Sequence, residues 1–405
     1  MSARRVYLYL SSLALATSAF CGCDTPKPVS ALSRPERDPA MAGSPQGSEG
    51  SNVDKKRLSG GRGEPWISGK FPSFRDPEGV PPAADAVLAT LEHPTSGVLV
   101  QYSPNGSWLA TAAHRTVTLW DARSREKVAS EELPSVMTFS PTGRTLAIFR
   151  GDGDRVDLVA VPALKPVASL VSGNGGSVDK VVFSPDERTI VGRQSTRLIV
   201  WDVATKRVKR ELQVERFGNS RGDSAPLAYS PDGKTLAASV SKDGVSLFDT
   251  VTWEVRLKLK PREPTYSVAF SPDGRFVATG ALAFSEAERG GVWALAIELW
   301  DARSGKPINP VGFETSAPGQ WMRHKGDAVT VSFSPDGKLL ASDAGYETVK
   351  LWDVATQRPL LTLRFPTRVC STSFSPDGKT LAVSHGSVVE LLDVAKLIPK
   401  QGEKK

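Results

Sequence analysis

The chain has few of the side chains on which disulfide-stabilised and metal-dependent proteins rely. It carries 3 cysteines and 4 histidines in 405 residues. Cys21 and Cys23 lie close to the N-terminus, so Cys370 is the one thiol in the rest of the sequence and no disulfide framework is possible. Because Cys370 lies in an alternating apolar pattern before Phe374, we expect it to be a buried apolar residue.

The motifs of common catalytic and metal sites are missing from the sequence. The histidines, which we expect in turns of different structural units, have no paired cysteine or carboxylate at zinc-site spacing; they are His93, His114, His324 and His385. The sequence contains no Gly-x-Ser-x-Gly, P-loop or dinucleotide-binding glycine pattern. The sequence therefore predicts no catalytic residue, no metal and no small-molecule cofactor.

Charge gives little information about partners. The formal net charge is +7, which is a mild bias toward acidic partners in a chain of this length. No run of lysine and arginine is interleaved with aromatic residues, as a nucleic-acid interface would require. We expect no nucleic-acid partner.

The first 22 residues have the pattern of a secretory signal peptide. Arg4 and Arg5 precede an apolar run over residues 6–20, which is short for a membrane-spanning helix. The run ends in Phe20-Cys21-Gly22-Cys23, which resembles a bacterial lipoprotein box, and the small Gly22 makes Cys23 the better acceptor of lipid. Ordinary cleavage near Ala19 and a retained anchor are the alternatives. This resemblance implies a bacterial protein that is anchored in a membrane and exposed outside the cytoplasm.

Residues 23–84 are rich in proline, glycine, serine and charge and show no apolar periodicity. Such a composition predicts a disordered tether. A chain of this length has a typical end-to-end distance of about 40 Å, enough to hold a folded domain clear of a lipid surface.

From residue 85 onward the sequence is built from one repeated unit. Its Ser-Pro step occurs seven times, 37 to 63 residues apart, at Ser103, Ser140, Ser184, Ser230, Ser271, Ser334 and Ser375. In the unit at Ser334, Val331 and Phe333 alternate as one strand, Pro335 and Gly337 suit a tight turn, and Leu339 opens the second strand. The third strand of this unit is Val349-Lys350-Leu351-Trp352. Each unit thus predicts a small antiparallel sheet that needs neighbours of its own kind to cover its two apolar faces.

The third strand ends in an aromatic or leucine residue followed by aspartate in six of the seven units. These pairs are Trp120-Asp121, Trp201-Asp202, Phe248-Asp249, Trp300-Asp301, Trp352-Asp353 and Leu392-Asp393. The second unit has Val159-Ala160 instead. We expect that unit to be less rigid.

These two motifs resemble those of the WD-repeat family, whose members fold as β-propellers with one four-stranded blade per repeat. The resemblance implies an all-β fold, a seven-bladed propeller of antiparallel blades over residues 85–398, with a basic tail at 399–405. The family's usual Gly-His step has a histidine only at His93 and His324, and His114, Ser195 and Tyr346 stand at the place of the usual turn aspartate. The His, Ser and Asp network that braces many family blades should therefore be incomplete.

The segment Ala86 to Leu91 has the pattern of an outer strand but no blade of its own. In the WD-repeat family, such a strand joins the last blade and closes the ring, which hides open sheet edges. We expect the same closure in this chain.

Two insertions interrupt the repeat, and long insertions in a compact domain tend to be functional. One extends the fifth unit between its second and third strands, over about Ala283 to Val292, and the other follows from Pro307 to Lys325. In a WD-type propeller, both connections lie on one rim. We expect an interaction patch there that contains Phe284, Trp293, Phe313, Trp321, Met322 and Arg323. The alternative is that these aromatic residues only pack the insertions onto the rim.

The sequence therefore favours a non-catalytic scaffold that binds other proteins and is attached to a membrane through a lipid anchor. An alternative class is a propeller hydrolase or small-ligand-binding protein with a site in the central channel. Several Asp, Glu or His side chains at the channel mouth would favour that alternative, whereas Ser, Thr and apolar groups would favour the scaffold.

Overall fold

The computed structural model describes residues 79–398, except 135, 150–152, 195, 215–225, 242–243, 262–264, 286–291, 309–312, 315–329 and 344–346. For residues 240–241, 282–285, 292–296 and 313–314 it describes the backbone. The described residues form seven four-stranded antiparallel sheets, which are the blades of a β-propeller.

The strands follow one another outward in each blade, and blade 7 takes its outer strand from the N-terminus. Blade 1 comprises β2 (Leu99–Tyr102), β3 (Trp108–Ala113), β4 (Thr116–Asp121) and β5 (Lys127–Glu132). Blade 2 comprises β6 (Val136–Phe139), β7 (Thr145–Phe149), β8 (Arg155–Ala160) and β9 (Lys165–Val171). Blade 3 comprises β10 (Val178–Phe183), β11 (Thr189–Gln194), β12 (Arg197–Asp202) and β13 (Arg207–Gln213). Blade 4 comprises β14 (Leu227–Tyr229), β15 (Thr235–Ser241), β16 (Gly244–Asp249) and β17 (Val255–Leu259). Blade 5 comprises β18 (Thr265–Phe270), β19 (Phe276–Ser285), β20 (Val292–Asp301) and β21 (Phe313–Glu314). Blade 6 comprises β22 (Thr330–Phe333), β23 (Leu339–Asp343), β24 (Thr348–Asp353) and β25 (Arg358–Arg364). Blade 7 comprises β26 (Val369–Phe374), β27 (Thr380–His385), β28 (Val388–Asp393) and β1 (Val87–Glu92).

The first strand of every blade contacts the first strands of both neighbouring blades, so these seven strands form the inner ring. Apolar clusters fill the spaces between successive blades; one, for example, joins Phe139 and Ile148 of blade 2 to Leu119 of blade 1. The fold predicted from the repeat is therefore confirmed.

The Ser-Pro-Asp-Gly turn joins the first and second strands through side-chain hydrogen bonds that are local in sequence. In blade 6, the Ser334 hydroxyl donates to Asp336 Oδ1 at 2.6 Å and accepts from the Leu339 backbone N–H at 2.9 Å. Gly337 adopts a φ of 69°, which most other residues tolerate poorly. The same serine-to-aspartate bond recurs in blades 3, 4, 5 and 7. The turn is therefore specified by four consecutive residues.

These turns also contact one another around the ring. Proline rings lie close to the turn glycine of the next blade in five places, Pro185 near Gly233, Pro231 near Gly274, Pro272 near Gly337, Pro335 near Gly378 and Pro376 near Gly106. A local turn signal thus also sets how neighbouring blades approach each other on this rim.

The aspartate after the third strand organises the next turn. Asp353 Oδ1 accepts from the backbone N–H and the hydroxyl of Thr356 at 2.6 and 2.7 Å. The outer strand that follows carries a β-bulge in blades 1 to 4, 6 and 7, and the extra residues are Leu88, Val128, Val167, Lys209, Arg256 and Leu360. Val128 and Val167 are 46% and 60% exposed, and their exposure follows from this position. Bulges of this kind disfavour edge-to-edge aggregation of open sheets.

The predicted brace is incomplete in the part of the chain that the structure describes. Trp120, Trp300 and Trp352 each donate an indole N–H to a hydroxyl on the second strand, from Thr111, Thr279 and Ser342 respectively. Among the described histidines, His93 lies beside the tryptophan of blade 1, with 5.9 Å between the ring centroids of His93 and Trp120.

One histidine departs from the sequence prediction. His385 is the last residue of β27, not a turn residue, and it is 4% exposed. Its Nε2 lies 3.4 Å from Glu390 Oε1, and its Nδ1 lies 3.1 Å from the Thr367 hydroxyl. The pairing of β27 with β28 continues to the end of both strands, and this places His385 inside the sheet. Cys370 is 7% exposed, which confirms the prediction that it is buried.

Both ends of the described chain meet at blades 6 and 7. The strand β1 pairs with β28, so the N-terminal segment closes the ring as predicted. A short helix, α1 (Val394–Leu397), follows β28, and Lys396 Nζ donates to the Asp85 carbonyl at 2.7 Å. Val80, in the segment assigned to the tether, pairs in parallel with Leu363 of blade 6.

Candidate functional site

The second and third strands of blade 5 extend beyond those of the other blades. In blades 1, 3 and 7 this hairpin contains six residue pairs, whereas β19 and β20 contain ten. The additional pairs are Leu282 with Leu295, Ala283 with Ala294, Phe284 with Trp293 and Ser285 with Val292. Four residues of strand lengthen the hairpin by about 13 Å. The predicted insertion is therefore an extension of the sheet, which we call the blade-5 arm (Leu282–Ser285 and Val292–Leu295).

The register places large and small residues on opposite faces of the blade-5 arm. Directly paired residues share a face of a sheet, and alternate pairs lie on the same face. Leu282, Leu295, Phe284 and Trp293 therefore occupy one face of the arm. The other face carries two alanines, a serine and a valine. Phe284 and Trp293, which the sequence analysis assigned to an interaction patch, are thus brought together as a cross-strand pair.

Among the described residues, neither neighbouring strand of blade 5 continues alongside the arm. The inner strand β18 begins opposite Ala281, and β21 pairs only with Ala296 and Ile297. In the described part of blade 5, the arm is therefore a two-stranded ribbon. Such a ribbon is marginally stable in water without a third strand or a packing surface.

The second insertion was assigned wrongly in part. Residues from Pro307 onward were expected to form a connection between blades 5 and 6, but Pro307 forms a bridge with Trp300 and Phe313 pairs with Ile297. These residues therefore complete the outer edge of blade 5. The rest of the predicted patch, Trp321, Met322 and Arg323, lies outside the described residues.

The edges of the inner strands are closed by side chains of the neighbouring blades. Ser373 Oγ accepts from the Tyr102 backbone N–H at 3.0 Å, and Ser371 Oγ donates to the Val100 carbonyl at 3.2 Å. Gln101 Oε1 accepts from the Phe139 N–H at 3.3 Å. Hydroxyl and amide groups thus satisfy backbone groups that face the central channel and join blade 7 to blade 1 and blade 1 to blade 2.

One inner strand carries buried charge, which the sequence analysis missed. Asp179 is the extra residue of a β-bulge in β10, and the neighbouring Arg193 in β11 is 1% exposed. Burial raises the pKa of Asp179 to about 7, although the positive charge of Arg193 opposes this rise. Arg193 Nη1 donates to the Ser239 carbonyl of blade 4 at 2.9 Å. The available signal was Asp179-Lys180, two charged residues in a strand that is otherwise apolar.

The described side chains contain no group of three or more His, Cys, Asp or Glu residues that could hold a metal ion. Across the described ranges, none of the helices combines the length and the apolar character needed to span a bilayer.

Three segments of the chain match a known repeat family. The model of the WD domain, G-beta repeat, matches residues 86–121, 259–285 and 319–353. The second match ends at Ser285, the last residue of β19, and so includes the first strand of the blade-5 arm.

Several curated proteins are similar to this chain at low identity. Serine-threonine kinase receptor-associated protein of Mus musculus is 22% identical over 246 residues, which is 60% of this chain and 61% of that protein. Guanine nucleotide-binding protein subunit beta of Oryza sativa subsp. japonica is 22% identical over 289 residues, which is 65% of this chain and 70% of that protein. Telomerase protein component 1 of Mus musculus is 24% identical over 219 residues, which is 54% of this chain and 7% of that protein. The chain thus spans less than two thirds of the first and third of these relatives. The chain is thus a seven-bladed propeller of which three segments match the WD domain, G-beta repeat, and it is similar to proteins named as a receptor-associated protein and a guanine nucleotide-binding protein subunit.

Proposed function

We propose that this protein is a non-catalytic scaffold that binds another protein through the blade-5 arm and is held outside the cytoplasm by a lipid on Cys23. The observation that carries the binding role is the arm itself. Four extra residue pairs, with Leu282, Leu295, Phe284 and Trp293 on one face, extend a sheet beyond the described residues of both of its neighbouring strands. Large aromatic residues at the centre of an interface commonly supply most of its binding energy.

The composition of the inner ring supports a scaffold over a channel enzyme. Among the described residues, the inner strands present hydroxyl groups such as Ser371 and Ser373, which are engaged in hydrogen bonds between blades. Asp179 is the one described carboxylate in these strands, and Arg193 accompanies it. Two relatives are named for association with a receptor or as a subunit of a complex, which agrees with a scaffold.

The binding role can be tested with variants on the two opposite faces of the blade-5 arm. Phe284→Ser with Trp293→Ser should abolish capture of the partner from membrane extracts, because the large apolar face loses its aromatic pair. The control, Ala283→Ser with Ala294→Ser, alters the small face and should leave capture intact. Both double variants should melt within a few degrees of the parent. A large fall in melting temperature with capture retained in the first variant would show that the arm packs on its own rim, and the proposal would fail.

Trp321 provides a second test within the same patch. Truncation of an aromatic residue at an interface centre typically costs about 2 kcal/mol or more of binding free energy. Trp321→Ala should therefore weaken capture at least tenfold with little loss of stability. Retained capture with lost stability would remove Trp321 from the patch.

The anchoring role has its own experiment. Cys23→Ser should move the protein from the membrane fraction to the soluble fraction, since acyl chains give stable anchoring and the polar tether gives none. Cys21→Ser, which leaves Gly22 and Cys23 in place, should remain membrane-bound. Equal partitioning of the Cys23 variant and the parent would contradict lipidation at this residue.

A further inference from the structure

The closing seam of the ring contains a polar cavity that the scaffold role does not use. It has a volume of about 130 Å³ and lies between the segment after β1 and the outer strands of blade 1. It is lined chiefly by Glu92, His93, Thr116, Lys127 and Ser130, with Trp120 as one wall. This space is large enough for a small carboxylate together with bound water.

His93 lines this seam cavity and contacts both blades that meet there. Its backbone N–H donates to the Ser387 carbonyl of blade 7 at 2.8 Å, while its ring meets Trp120 of blade 1 edge to face. The residue is 9% exposed, and its Nε2 is buried without a hydrogen-bond partner. A buried polar atom that has no partner destabilises the folded state, so a ligand that bonds to it is favoured.

Several groups that line the cavity bond elsewhere, and no described group bonds to His93 Nε2. The Trp120 indole N–H donates to the Thr111 hydroxyl at 2.8 Å. The Thr118 and Ser130 hydroxyls lie 3.1 Å apart and bond to each other. Lys127, which is exposed and makes no ion pair among the described residues, is the lysine that lines the seam cavity.

We propose that the seam cavity binds a small carboxylate between the Nε2–H of neutral His93 and the ammonium group of Lys127. One carboxylate oxygen accepts the histidine N–H, and the other accepts from Lys127. Bonds between a carboxylate and an ammonium group are charge-assisted and are about twice as strong as neutral ones. Glu92, at the edge of the same cavity, repels the anion and so limits its affinity.

The state of His93 fits this assignment. Burial lowers the pKa of His93, and the charge of Lys127 lowers it further, so the ring is neutral at pH 7 and carries one N–H. A bound anion favours the imidazolium form and must raise the pKa of His93. This rise provides a readout that is independent of partner capture.

The experiment is an NMR titration of the full-length protein labelled on its histidine rings, with the His93 signals assigned from His93→Gln. Sodium acetate, added against sodium chloride at equal ionic strength, should shift the His93 signals saturably and raise the pKa of His93 by about one unit. Lys127→Gln should weaken acetate binding about tenfold, and Glu92→Gln should strengthen it. Lys260→Gln, an exposed lysine after β17 of blade 4, should bind acetate as the parent does.

Two further probes distinguish the sources of the carboxylate. A short peptide with a free C-terminus that shifts His93 more strongly than acetate would identify a protein terminus, and its amidated form should then have no effect. A stronger response to acetate than to the peptide would identify a free small acid. An acetate response equal to that of chloride, or one that is unchanged in Lys127→Gln, would overturn the proposal.

Discussion

Trp201 in blade 3 lies directly over Gly192 of the adjacent strand. The tryptophans at the same position in three other blades contact a hydroxyl group there instead. The equivalent positions in blades 1, 5 and 6 are Thr111, Thr279 and Ser342, which accept the indole N–H. In blade 3 the ring occupies that space, and its N–H donates instead to the Val171 carbonyl of blade 2 at 3.2 Å. Where glycine replaces the residue with a hydroxyl group, the indole N–H therefore forms its hydrogen bond to a neighbouring blade rather than within its own blade.

Gly192→Ala should therefore destabilise the domain. The added Cβ would clash with Trp201 Cζ3 and lie 2.7 Å from Cη2, so the ring must move and its bond to Val171 is strained. Overpacking of this kind typically costs about 1–3 kcal/mol in the free energy of unfolding, measured by urea denaturation. Gly153→Ala is the matched control, because nothing lies within 4 Å of its Cβ position. Equal stability of the two variants would contradict the packing of Trp201 on Gly192.

Removal of residues 1–93 should unfold the propeller or sharply lower its melting temperature. Without β1, the edge of β28 loses its pairing, and the buried Val389 and Leu391 lose their cover. A variant that lacks only residues 1–82 keeps β1 but loses the two backbone hydrogen bonds of Val80 to blade 6, and it should melt about 2–5 °C lower. Equal melting of the variant that lacks residues 1–93 and the parent would show that β1 does not close the ring.

The turn aspartates should make stability fall in acid. The Ser230 hydroxyl bond holds the pKa of Asp232 below its usual range, so the unfolded chain binds this proton more readily than the folded chain. The stabilisation is complete above pH 4 and is lost as the pH falls through the folded-state pKa. Ser230→Ala removes the bond and should flatten the dependence of unfolding free energy on pH between about 4 and 2. Ser124→Ala, at a different turn, should leave the contribution of Asp232 in place.

Asp179 should give a slope of opposite sign near neutral pH. Its folded-state pKa of about 7 lies above the ordinary value of 3.8, so the folded protein binds the proton more tightly between these two values. Stability should therefore decrease as pH rises from about 4 to 7, by at most about 1.4 kcal/mol per pH unit for one proton. Asp179→Asn removes the titrating group and should abolish this slope, whatever its effect on absolute stability. A slope unchanged in the variant would assign the proton to another residue.

The structure of the blade-5 arm could not be predicted from the sequence alone. The repeat spacing located the insertion and its aromatic residues, but an insertion can form a loop or lengthen a hairpin. Only the pairing of Phe284 with Trp293 decides between these, because the register of a hairpin depends on the geometry of its turn, which the repeat spacing does not give. The same reason accounts for Phe313, which was assigned to a connection and lies on the outer edge of blade 5.

The sequence by itself determined the repeated blade, its turns and the closure of the ring. Ser334, Asp336 and Gly337 interact within four residues, so their bonds can be read from the order of residues alone. The tertiary structure decided which blades share bonds, as with Trp201 and Val171, and which side chains meet at the seam, as with His93 and Trp120. Those contacts join residues of different blades, and no local pattern encodes them, because they arise only when the ring closes and neighbouring sheets are pressed together.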